Sequence, residues 1–141
     1  MYLIDTNVIS EVRKRDRANP GVLRFFADVA AAGAPLYLSV ITIGELRRGM
    51  EVIRHRGDSD QAKLLDAWLS ALLEQFSDNI LAFDVDAAQV WGNLRAPNGE
   101  HALDKQIAAI ALVHDLTVVT RDTADFSGTS VRLANPFLAP T

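Results

Sequence analysis

The chain has 141 residues, 49% of them hydrophobic and 23% charged, a balance that suits one globular domain spanning residues 1–141. Cysteine is absent, which excludes a disulfide framework, a thiolate zinc site and a cysteine nucleophile, and fits a cytoplasmic, reducing setting. The formal net charge of −4 argues against a domain that coats nucleic acid through bulk charge; no apolar run approaches the ~20 residues of a membrane span, and no signal peptide is apparent.

In chain order, Leu3-Ile4 reads as the end of a short buried strand that stops at Asp5. Asn7 to Lys14 reads as a short helix, with Val8, Ile9 and Val12 on one face. Asn19-Pro20 pairs an N-cap with a proline at the first helical position, and that helix should end at Gly33. Leu36 to Val40 reads as a second strand. Thr42-Ile43-Gly44-Glu45 is expected to open the next helix, and Thr42 with Glu45 fits the S/T-x-x-E capping box. Asp58-Ser59 starts another helix, with Leu65, Trp68, Leu69 and Leu72 at helical spacing. These two helices read as a hairpin against the sheet edge. Ile80 to Phe83 is a third strand and Asp86 to about Arg95 a further helix. After the turn Pro97-Asn98-Gly99, an Ala-rich helix runs from about Leu103 to His114. Thr117 to Val119 is a strong strand signal, and Val131 to Leu133 a last short one. Strands alternating with helices predict an α/β fold, a mostly parallel sheet covered on both faces.

Ligands gather outside the carboxyl ends of parallel strands. Asp5, Glu45, Asp104, Asp122 and Asp125 stand at strand ends or in helix first turns, so this topology would bring all five to one edge. Carboxylates brought together raise one another's pKa, and a divalent cation relieves that repulsion. Oxygen donors without Cys or nearby His suit Mg2+ or Mn2+ rather than zinc. Each acid also has a local alternative. Glu45 could close the capping box, Asp104 could favour its helix dipole, and Asp122 and Asp125 could be turn or cap residues. Glu11 and Asp58 read as solvated faces or caps. His55, His101 and His114 stand at no ligand spacing and read as unconnected with a metal. Trp68 and Trp91 read as core or interface. The basic clusters at Arg13 to Arg17 and Arg47 to Arg56 are open between solvated faces and contact surfaces.

Leu3-Ile4-Asp5-Thr6-Asn7 and Ser39 through Gly49 resemble the opening motifs of PIN domains. Asp104 with Ile107-Ala108-Ala109 resembles their third motif, and Thr120-Arg121-Asp122 through Asp125-Phe126 their fourth. The order holds over nearly the whole chain, and the chain is most similar to the VapC and FitB type of bacterial toxin–antitoxin proteins. The ending Asn135-Pro136-Phe137 also resembles that branch. The resemblance implies a three-layer αβα PIN-like fold with a central sheet of ~4–5 strands and a helical hairpin. It implies a Mg2+- or Mn2+-dependent endoribonuclease, the toxin of a type II pair. Asp5, Glu45, Asp104 and Asp122 match the acidic quartet, with Asp5, Asp104 and Asp122 as metal ligands. Asp125 matches an additional acid, and the fourth motif leaves open whether Asp122 or Asp125 reaches the metal. Thr6, Asn7 and Thr120 match supporting positions. The implied partners are RNA, a cognate antitoxin and a second copy of the chain, with a larger heteromeric complex on DNA through the antitoxin. A DNA-bound regulatory complex with weak or latent nuclease activity is the alternative. A receiver-like or phosphatase domain is disfavoured, because Asn7 stands where a haloacid-type phosphatase needs its second aspartate.

Overall fold

The computed structural model describes residues 1–138. Five parallel strands form one sheet in the order β3-β2-β1-β4-β5. They are β1 (Tyr2–Ile4), β2 (Leu36–Ser39), β3 (Ile80–Leu81), β4 (Thr117–Val119) and β5 (Leu133–Ala134). The helices are α1 (Thr6–Val12), α2 (Pro20–Ala32), α3 (Val40–His55), α4 (Ser59–Gln75), α5 (Val85–Arg95) and α6 (Ala102–His114). Among the described residues no helix is long and apolar enough to cross a membrane.

Side chains alternate across a strand, and that alternation makes three layers. Leu3 and Val118 are paired in register and pack with Ile107, Ala108 and Ala111 of α6 on one face. Their neighbours Ile4 and Val119, also paired, turn to the opposite face, onto Val8, Val22, Leu69 and Leu72. The αβα expectation therefore holds. The hairpin α3–α4 has a small core of its own at Met50, Ala62 and Leu65, but α4 is more than an edge cover, because Leu69 and Leu72 join the central-strand core.

Several boundaries move, each for a local reason. β2 stops at Ser39 instead of Val40, because the fully buried Ser39 is the N-cap of α3 and accepts from Thr42 N at 3.1 Å. The helix thus opens at Val40, not at Thr42, and Glu45 lies past its first turn with no capping bond to make. The third strand keeps only Ile80–Leu81 of its expected four residues, since Asp84 caps α5 through Ala87 N at 2.9 Å. The last strand is Leu133–Ala134, later than expected, after Gly128 (φ +81°) and Ser130 (φ +59°) have turned the chain. The Asn19-Pro20 start is as expected: Asn19 Oδ1 accepts from Gly21 N at 2.9 Å, and Gly33 ends the helix in the left-handed conformation. Asp58 likewise caps α4 through Gln61 N. Glu11 is not a solvated acid. It is largely covered and accepts from Asn19 N at 2.8 Å and from Lys14 Nζ at 2.9 Å, pinning the start of α2, and these bonds, Lys14 first, hold its carboxyl below the usual range.

Candidate metal centre

The carboxyl ends of β1, β2 and β4 lie side by side. A helix that feeds β4 through Asp115-Leu116 must present its own N-terminus at that same edge, which brings Asp104 of α6 there. Asp5 leaves β1 only 4% exposed and caps α1 through Thr6 N at 2.8 Å. Its Oδ2 accepts a 2.7 Å bond from the hydroxyl of Thr120, itself fully buried. Burial raises the Asp5 carboxyl above its ordinary pKa, aided by the charge on Asp122 and opposed by the bonds from Thr120, Thr6 and Asn7.

Asn7 ties the ends of β1 and β4 together. Its Nδ2 lies 3.3 Å from Asp5 Oδ2, 3.2 Å from Thr120 Oγ1 and 3.2 Å from Asp122 Oδ2, while its Oδ1 accepts from Arg121 N at 3.0 Å. Thr120 Oγ1 also accepts from Asp122 N at 3.0 Å. Asp122 thus sits on the Asp5 side, exposed, with Arg121 Nε 3.8 Å away.

Glu45 arrives from α3. Its Oε1 accepts from Thr6 Oγ1 at 2.8 Å, and that hydroxyl also meets Thr42 Oγ1 at 3.2 Å. The capping-box alternative for Glu45 is overturned, since Ser39 takes the cap and Glu45 reaches across to α1. Burial, then the charge on Asp5, raises the Glu45 carboxyl above its usual value, against the bond from Thr6.

Asp104 is pushed up to about 6, chiefly by burial and then by the charges on Asp5, Asp125 and Glu45, with His101 pulling the other way. Asp125, in the short 3-10 turn Thr123–Phe126, lies on this side, not beside Asn7. His101 Nδ1 stands 3.8 Å from an oxygen of each of Asp104 and Asp125. His101, which stands at no ligand spacing in the sequence, is thus brought beside two of the acids. Three donor atoms of His101, Asp104 and Asp125 all lie within 4.8 Å of one another. No periodicity or motif announces His101; its only signal is its place just before the helix that carries Asp104. The five acids therefore form one cluster with two poles. Asp5 and Asp122 share Asn7 and Thr120, Asp104 and Asp125 share His101, and Glu45 faces both Asp5 and Asp104 through space.

The donor set fits a divalent cation. Asp5, Glu45 and Asp104 are partly desolvated and mutually repelling, and among the described residues no Lys or Arg forms a salt bridge with any of them. Buried like charges without a counter-ion are costly, and oxygen-rich sets of this kind suit hard divalent ions.

The family model for the PIN domain matches residues 2–130. The chain belongs to the PIN-domain family. It is 38% identical over 146 residues to the plasmid stability protein StbB of Pseudomonas syringae pv. tomato, covering 99% of this chain and 100% of that protein. It is 34% identical to toxin FitB of Neisseria gonorrhoeae, covering 97% and 99%, and 33% identical to the VapC ribonuclease Y4jK of Sinorhizobium fredii, covering 97% and 98%. Among solved structures it is similar to FitAcB from Neisseria gonorrhoeae, with a TM-score of 0.84, 34% identity and coverage of 99% and 100% of the two chains. FitAB bound to an IR36 DNA fragment matches equally well, at TM-score 0.84 and 32% identity over 100% and 99% of the chains. The VapC and FitB likeness and the α/β PIN fold expected from the sequence are thereby upheld. PIN domains are generally nucleases, and the acid-lined edge described above is the part of this PIN domain suited to such chemistry.

Proposed function

We propose that this PIN domain is the toxin of a type II toxin–antitoxin pair and a Mg2+- or Mn2+-dependent endoribonuclease acting in the cytoplasm. The observation that carries the reading is the convergence of Asp5, Glu45 and Asp104, three carboxyls held partly out of water with raised proton affinity and, among the described residues, no Lys or Arg paired with them. Asp5, Asp104 and Asp122 would hold the ion, with Asp125 as a further arm, and Asp5, Glu45, Asp104 and Asp122 form the catalytic set. When bound, the ion would supply charge stabilisation to the phosphodiester and lower the pKa of the attacking water.

The chain's own residues supply orientation and proton handling. Thr120 and Asn7 fix the Asp5 carboxylate plane, and Asn7 holds Asp122 in line with it. Thr6 donates to Oε1 of Glu45, and Oε2 would be the atom that takes a proton from water. Its raised pKa moves Glu45 towards the operating range of a general base. Arg121, exposed and stacked 5.2 Å over Phe137, stands beside Asp122 as a cation for the RNA backbone.

The likeness to FitAcB and FitAB supports a cognate antitoxin as partner, and a homodimer is part of the same reading. A groove of about 300 Å3 lies between α1, α3 and α4, lined by Glu45, Leu46, Met50, Ile53, Leu65 and Trp68. It would take an apolar antitoxin segment ending beside Glu45. The likeness to FitAB on DNA favours a second role, as part of a DNA-bound complex whose DNA contacts belong to the antitoxin. The test is Mn2+-dependent cleavage of RNA by purified protein, with and without antitoxin. Asp5→Asn is expected to keep the fold by circular dichroism and abolish cleavage; retained cleavage would overturn the site.

A further inference from the structure

His101 is an unusual way to begin a helix. N-caps favour Ser, Thr, Asp or Asn in extended conformation. His101 instead sits in the left-handed region (φ 54°, ψ 47°) and makes no side-chain cap bond. The chain on either side of it is braced from both flanking helices. Arg95 of α5 donates to Gly99 O at 3.4 Å, Lys105 of α6 donates from a buried position to Asn98 O, and Trp91 Nε1 donates to Ala102 O at 3.0 Å. The result aims Nδ1 at two carboxylates, 3.8 Å from each. That separation is too long for a hydrogen bond to either and suits three donors that share a central body. Bonds of about 2.0–2.2 Å to nitrogen and oxygen allow donor separations up to about 4.4 Å.

We propose that His101 Nδ1, with Asp104 and Asp125, forms an N,O,O arm of the metal centre that selects Mn2+ or another first-row transition ion over Mg2+. The inference rests on reading the acidic cluster as a divalent-metal site and adds a nitrogen ligand to it. Imidazole suits transition ions, whereas Mg2+ prefers oxygen donors and retained water. Asp104 faces both poles, so the arm extends the Asp5 site without replacing it.

The test uses the full chain, stripped with EDTA and titrated with Mn2+ alone and Mg2+ alone by calorimetry. Electron spin echo spectroscopy of the Mn2+ form then reads 14N coupling. The wild type should bind Mn2+ at least ~10-fold more tightly than Mg2+ and show imidazole nitrogen coupling. His101→Gly, which tolerates the backbone conformation, should lose the coupling and ~10-fold or more in Mn2+ affinity, with Mg2+ affinity much less affected. His101→Asn, also at ease in the left-handed region, should abolish the coupling too. Absence of 14N coupling in the wild type, or an equal loss for both ions in the variants, overturns the proposal. If that occurs while Asp5→Asn still abolishes cleavage, only the His101 arm fails. If neither ion binds and Asp5→Asn still cleaves RNA, the metal-nuclease reading fails with it.

Discussion

Replacing Asp104 by Asn should stabilise the metal-free protein while disabling it. In the fold this carboxyl is pushed from 3.8 up to about 6, mainly by burial and by Asp5, Asp125 and Glu45. A raised carboxyl pKa means the folded state binds the proton more tightly than the unfolded chain. Its stabilising effect is complete below about pH 4 and is lost as pH rises through about 6. A pKa raised that far corresponds to about 3 kcal/mol. Asp104 keeps 28% of its side-chain surface exposed, so solvent screening reduces that figure to about 1–2 kcal/mol. Asn carries no charge, so Asp104→Asn should gain about 1–2 kcal/mol at pH 7.5 in EDTA, seen as ~2–8 °C in Tm. At about pH 4 the gain should vanish, because the wild-type carboxyl is then largely neutral in the fold and no longer penalised. Thermal and urea denaturation at the two pH values measure this directly. Saturating Mn2+ should reverse the order at pH 7.5, stabilising the wild type more than the variant. A variant less stable than wild type at pH 7.5 without metal, or a gain independent of pH, would refute the electrostatic account of the cluster.

Thr120→Val keeps the shape of a fully buried side chain but removes the donor to Asp5 and the acceptor for Asn7 and Asp122. It should cost about 1–3 kcal/mol in urea unfolding and lower RNA cleavage. Ser39→Ala removes the N-cap of α3 and should cost about 1 kcal/mol by the same measurement. Asn7→Ala unties Asp5 from Asp122 and should weaken Mn2+ binding by about 10–100-fold in calorimetry, with little change in far-ultraviolet dichroism.

The sequence by itself determined the layout that local rules control. The Asn19-Pro20 start, the Gly33 stop, the Asp58 cap and the strand Thr117–Val119 all follow from capping and propensity within a few residues. The alternation of strand and helix implied a parallel sheet, and Asp5 at a strand end marked the edge where a site could form. The likeness to PIN domains then drew Glu45, Asp104 and Asp122 to the same place. What the tertiary structure alone decided are contacts between residues far apart in the chain. Glu45 belongs to Thr6, 39 residues away, because Ser39 has already capped its helix. Thr120 reaches Asp5 across 115 residues because β4 lies beside β1, a strand order that no local pattern encodes. The same adjacency places Asp122 with Asn7, while the turn after it carries Asp125 over to Asp104. His101 joined them for a like reason: a left-handed residue, whose neighbours Asn98, Gly99 and Ala102 are held by Lys105, Arg95 and Trp91, has its ring beside acids from its own helix and from the turn after β4, and only the packed fold brings those braces together.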